Sequence, residues 1–132
     1  MITVLNCEFV QNVGDGNRAV PGAGIYAGPG WFSSLTEMAH AAVPEARFSP
    51  ILDCGDDAGA ALAAMRAGIE RIIFTGSSDV GQRLAEIGVQ CETSIMAVRP
   101  KPDLDLADHF FADEQTLRQR CAEVLALVTR FC

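Results

Sequence analysis

Long apolar runs are missing from this sequence: none approaches the roughly 18–20 residues that a membrane-spanning helix needs. The start, Met1-Ile2-Thr3-Val4-Leu5-Asn6, also lacks the basic residues and extended apolar stretch of a signal peptide. The expectation is a soluble, cytoplasmic protein. Positive charge is scarce too. Ten Lys and Arg stand against 17 Asp and Glu, for a formal charge of −7, and Lys101 is the only lysine. The ten are scattered from Arg18 to Arg130, with only Arg99/Lys101 and Arg118/Arg120 close together. Such a balance repels nucleic acid and anionic membranes, so neither is expected as a partner. Cys-x-x-Cys pairs are absent as well. Cys7, Cys54, Cys91, Cys121 and Cys132 are odd in number and irregularly spaced, which suggests neither a disulfide framework nor a zinc site. No cofactor and no metal is expected.

The composition that remains is that of one globular domain spanning residues 1–132. Hydrophobic residues make up 49% of the chain and the mean hydropathy is +0.20, well above that of a disordered segment. From Gly24 onward, short apolar runs alternate with longer stretches of helical period. Ile25-Tyr26-Ala27 leads through Gly28-Pro29-Gly30 into Trp31, Phe32, Leu35, Met38, Ala39 and Ala42, and Pro44 stops that helix. Phe48 to Leu52 is the next run. Asp53-Cys54-Gly55 turns the chain, Asp56 or Asp57 caps a helix lined by Ala58, Ala61, Leu62 and Met65, and Gly68 ends it. Ile72-Ile73-Phe74 then precedes Thr75-Gly76-Ser77-Ser78 and a helix carrying Val80, Leu84 and Ile87 up to Gly88.

Val89, Cys91, Thr93 and Ile95 alternate with polar residues, as in a last strand at or near an edge. Residues 99–108 read as an exposed crossing loop, after which Asp113 caps a long helix with Leu117, Cys121, Val124, Val128 and Phe131 on one stripe. In the first 23 residues, Ile2, Val4 and Leu5 suggest a strand, and the turn chemistry of 13–18 suggests a hairpin into the Ile25 strand. The expected fold is α/β: a single domain with a four- or five-stranded, mostly parallel sheet, helices on its faces, and an N-terminal strand or hairpin.

In open parallel sheets, ligands bind outside the carboxyl ends of the strands. The Gly-rich turns Gly28-Pro29-Gly30 and Thr75-Gly76-Ser77-Ser78 are expected on that rim. Gly28, Gly30, Thr75, Gly76, Ser77 and Ser78 are thus candidates for holding a small anion or nucleotide through N–H groups, hydroxyls and a helix dipole. Asp53, Asp56, Asp57 and Asp79 crowd the same rim, where helix capping competes with cation binding. Cys54 precedes a helix start, but its acidic neighbours disfavour a thiolate and neither His40 nor His109 is near it in sequence, so a packed thiol is expected. Trp31 and Phe32 are adjacent and cannot both face one core. Phe110-Phe111 reads as a hydrophobic staple onto the last helix.

The strand order, with Leu52-Asp53 at a strand end, Asp56-Asp57-Ala58-Gly59 opening a helix and Ser78-Asp79-Val80 through Leu84 to Ile87-Gly88, resembles the STAS domain of anti-sigma-factor antagonists and anion-transporter tails. That resemblance implies protein binding rather than catalysis, with Asp57 at the position of the family's phosphorylated Ser or Thr. Phe74-Thr75-Gly76-Ser77 is also similar to a cofactor-contacting stretch of aldehyde dehydrogenases. Asp53, Thr75 and Lys101 resemble the strand-end residues of a response-regulator receiver. Two functions follow as expectations. One is a non-catalytic regulatory module whose protein partner docks at Asp56, Asp57 and the following helix. The alternative is a small-ligand protein using the Gly-rich turns. Self-association is open.

Overall fold

The computed structural model describes residues 10–13, 16–19, 22–42, 44, 49–99, 104–105, 113, 115–120 and 122–123. Ile2, Val4, Leu5, Phe110, Phe111 and most of the last helix lie outside them. β1 (Val10–Val13) and β2 (Gly16–Ala19) form an antiparallel hairpin in which Val13 faces Gly16. A short helix α1 (Ala23–Tyr26) follows, and then α2 (Gly28–Ala42). The expected hairpin therefore exists, but its second strand is Gly16–Ala19 and not the Ile25 run. Ala23 and Gly24 are buried while Ile25 and Tyr26 are exposed, a pairing that the strict alternation of a strand does not give. Gly24 fixes this choice. A Cβ there would sit 3.0 Å from Cys54 Sγ and 3.1 Å from the Asp53 carbonyl oxygen, so α1 lies against the end of the next strand because residue 24 has no side chain.

Two strand–helix units and a further strand then run in chain order: β3 (Ser49–Asp53) and α3 (Ala58–Arg66), β4 (Arg71–Ile73) and α4 (Ser78–Cys91), and β5 (Ser94–Met96). β2 to β5 are mutually parallel, with Arg18 opposite Ile51, Leu52 opposite Ile72 and Ile72 opposite Ile95. A two-residue strand β6 (Leu104–Asp105), in the stretch read as an exposed loop, pairs antiparallel with β1. The spatial order is β5-β4-β3-β2-β1-β6. Six strands among the described residues replace the four or five expected, because both hairpin strands and β6 join one sheet.

Since each parallel strand is laid beside the preceding one, right-handed crossovers bring α2, α3 and α4 to the same side. The core confirms the placement: Leu52 and Ile72 pack with Phe32, Ala60, Ala61, Ala64, Met65 and Leu84. Three buried alanines on α3, at positions 60, 61 and 64, allow that helix to approach the sheet closely. Ile51 and Ile73, whose side chains alternate to the other face, are also fully buried. Burying each of these four aliphatic side chains contributes about 1.5–3 kcal/mol. Of the adjacent aromatics, Phe32 is in the core and Trp31 packs against its margin. No helix among the described residues is long and apolar enough to cross a membrane.

α3 begins and ends as its sequence indicates, with Asp57 as N-cap and Gly68 just beyond. α4 does not. Gly88 lies within the helix, which continues to Cys91, so Val89 and Cys91 are helical and the last parallel strand shrinks to Ser94–Met96. Gly88 is a contact glycine: a Cβ would lie 2.6 Å from the Thr93 carbonyl oxygen, where the chain folds back under the helix. The reversal is made by Glu92 at φ 58°, with Thr93 N–H donating to the Gly88 carbonyl. A left-handed conformation costs a non-glycine residue about 1–2 kcal/mol. Glu92→Gly is expected to stabilise the protein by about 1 kcal/mol, while Gly88→Ala costs about 1–3 kcal/mol through the forced contact. Urea titration of the two variants beside the parent chain checks both signs.

Candidate functional site at the carboxyl rim

Asp53 ends β3 and is the fully buried carboxylate at the centre of the rim. Four donors among the described residues hold it. The N–H groups of Gly55 and Gly22 donate to Oδ1 at 2.9 and 3.0 Å. Arg99, in the segment leaving β5, donates from Nε to Oδ2 at 2.6 Å and from Nη2 to Oδ1 at 3.1 Å. The guanidinium thus clasps the carboxylate with both forks, the strong geometry for such a pair. Burial alone would raise the Asp53 pKa, but the hydrogen bond from Arg99, those from Gly22 and Gly55, and the Arg99 charge outweigh it and hold the carboxyl below its ordinary value of 3.8. Arg99 is correspondingly pushed up by its bond to Asp53.

Arg99 forms one wall of an open cleft of about 340 Å³, lined also by Gly22, Ile25, Gly55, Asp56 and Thr75. Thr75 is anchored through its backbone, its N–H donating to the Gly55 carbonyl at 2.7 Å. Ile25 lines the cleft and its neighbour Tyr26 lies beside Gly22; they are 48% and 61% exposed, two large hydrophobic side chains near an ion pair. Partial burial and the Asp53 charge raise the Tyr26 phenol.

The acidic rim separates into distinct tasks. Asp53 is the buried ion-pair partner. Asp57 is consumed as the α3 cap, its Oδ1 accepting from the Ala60 N–H at 3.0 Å. Asp56 and Asp79 are exposed, Asp56 on the cleft and Asp79 in the first turn of α4. Among the described residues no group of three or more His, Cys, Asp or Glu is arranged to hold a metal ion. Cys54 is fully buried; burial, then the charges of Asp53 and Asp57, push its thiol up to about 12. It is packed rather than poised as a nucleophile.

The residues expected to hold a small ligand fall in three places. Thr75 faces the Arg99 cleft. Gly76, Ser77 and Ser78 line a neighbouring cleft of about 310 Å³ between α4 and β5, together with Phe74, whose ring lies directly beneath Gly76. Gly28 and Gly30 open α2, with no atom within 4 Å of where a Cβ would stand, and line neither cleft. The residues that build the site without having been singled out from the sequence are Arg99, Gly22, Ile25 and Tyr26. The one local signal for Arg99 is its position directly after the apolar run Ile95–Val98, where a chain leaves the sheet.

Two outcomes follow. A carboxyl whose pKa is lower in the folded than in the unfolded chain stabilises the fold above the ordinary carboxylate range, and that stability is lost as pH falls through the lowered value. Arg99→Met is expected to cost about 1.5–3 kcal/mol at neutral pH, a deficit that shrinks as pH falls and Asp53 takes up its proton; urea melts at a series of pH values read both. Alkylation with iodoacetamide at mildly alkaline pH is expected to label exposed Cys91 and spare Cys54 until the protein unfolds, as peptide mapping reports. No family model matches the chain, and searches of curated proteins and of solved structures find no match either.

Proposed function

We propose that the protein is a non-catalytic regulatory module that docks a protein partner on the carboxyl rim around Asp56 and the start of α3. The carrying observation is the juxtaposition of exposed Ile25 and Tyr26 with exposed Asp56, beside an Arg99–Asp53 pair whose charges already satisfy one another. Exposed large hydrophobic groups next to charge are the composition of a contact patch. The partner this patch fits is a basic segment with an apolar anchor. Asp56 and the −7 of the whole chain attract it, and the Tyr26 ring offers a face to a guanidinium.

The strand order supports the STAS-like reading, with a hairpin leading into parallel strands laid side by side. The buried, proton-holding Cys54 is in keeping with binding rather than chemistry. The small-anion reading is supported by the α4 start, where Ser77 makes no side-chain capping bond. Asp79 in that first turn and Asp56 on the adjoining cleft both oppose an anion, so the partner reading is preferred.

Affinity capture followed by titration separates the two. Asp56→Arg and Tyr26→Ala are each expected to weaken the captured partner at least about tenfold, while Glu37→Arg on α2, far from the rim, leaves it bound. Asp56 is chosen because Asp57 also caps α3. Undiminished binding to Asp56→Arg sinks the partner reading. A rise in melting temperature with inorganic phosphate or a nucleotide, lost in Ser77→Asp, supports the alternative.

A further inference from the structure

We propose that a second copy of this chain pairs along the β5 edge. Among the described residues β5 is the terminal strand of the sheet. Ser94 N–H donates to the Glu70 carbonyl and the Met96 carbonyl accepts from Phe74 N–H. Alternation along the strand therefore points the N–H and C=O groups of Ile95 and Ala97 outward. Edges of this kind are ordinarily guarded by lysine, proline, a bulge or a cover. The run Thr93–Val98 contains no charge and no proline, and Val98 is 75% exposed.

Beside the strand, Ser78, Gln82, Ala85 and Val89 recur along α4 at steps of four, three and four, forming one uncharged stripe. The first three line the α4–β5 cleft together with Ile95 and Ala97. Val89 is 81% exposed. Charge selects the occupant. A molecule at −7 repels its own copy wherever acidic groups face outward, and neither this stripe nor this strand carries one; Asp79 and Glu86 belong to other rows of the helix.

The register is also self-complementary. A two-fold axis at Met96 sets Ile95 opposite the partner's Ala97, and Ala97 opposite the partner's Ile95, so that both pairs exchange backbone hydrogen bonds. Thr93 cannot extend the ladder, because its N–H already donates to the Gly88 carbonyl. The two α4 helices then face each other across the seam, with Ala85 permitting close approach and Val89 covered. The interface uses none of the Asp56 rim and is independent of the function proposed for it.

Sedimentation velocity on the full chain from about 1 μM to about 1 mM tests this, since a dimer held by a short ladder and one uncharged stripe dissociates within that range. Val89→Arg places a cation in the apolar seam and is expected to raise the dimer Kd at least about tenfold. Ala97→Pro deletes an outward N–H without touching the β4 ladder and is expected to leave a monomer. Hydrogen exchange on the unaltered chain gives a readout that depends on no variant: the Ile95 and Ala97 amides slow as concentration rises. A monomer throughout the range overturns the proposal, as does a dimer with an unchanged Kd in Val89→Arg. Amides that exchange at one rate at every concentration likewise overturn it.

Discussion

The rim of this protein depends on a single buried carboxylate. Asp53 stands at the end of a central strand with no exposure, where an ion without partners would be intolerable. Its four donors come from three stretches of chain: the junction after β2 at Gly22, the β3–α3 turn at Gly55, and the segment leaving β5 at Arg99. The electrostatic demand of one group thereby sets the relative positions of three loops. The cleft between them is defined by what Asp53 requires, and the placement of Ile25 and Thr75 on it follows from the same arrangement.

Local rules read well in this chain, and rules that need a distant partner do not. The Asp57 cap, the end of α3 at Gly68, the stop of α2 near Pro44 and the apolar strands around Leu52 and Ile72 are all encoded within a few residues. Asp53 could be placed on the rim, but its engagement with Arg99 spans 46 residues, and no spacing pattern announces a pair that only the sheet brings together. Gly88 illustrates the opposite failure. A glycine after an amphipathic stretch ordinarily ends a helix, yet here it is kept for the room it leaves to the Thr93 carbonyl, a contact invisible until the chain has folded back. Ile25-Tyr26-Ala27 misled for a third reason, since three apolar residues carry too little periodicity to separate strand from helix.

The acidic composition gains meaning once the aspartates are placed. Counted together, they suggest a cation site or a surface hostile to anions. Placed individually, one is neutralised by Arg99, one is spent on a helix start, and two remain outward. The outward charge at Asp56 shares its cleft with the exposed hydrophobic side chain of Ile25, the combination on which the proposed docking rests. Along the stripe and strand at the far edge of the sheet the charge is absent, and the exposed groups are aliphatic, hydroxyl, amide or backbone. The molecule thus has two unlike faces, one with outward acidic charge beside exposed hydrophobic groups and one without charge.

The order in which the strands sit also bears on how the chain reaches this structure. From β2 to β5, each strand lies beside the one made just before it, so each new strand–helix unit docks on a surface that already exists. Each of these pairings spans a few tens of residues, far less than the return of β6 to β1, so the parallel half can assemble progressively as the chain emerges during synthesis. β6 departs from the pattern by returning across more than 90 residues to β1. Its pairing closes a long loop, so the sheet's growth by neighbouring additions ends with one slow, distant step that the early units do not need.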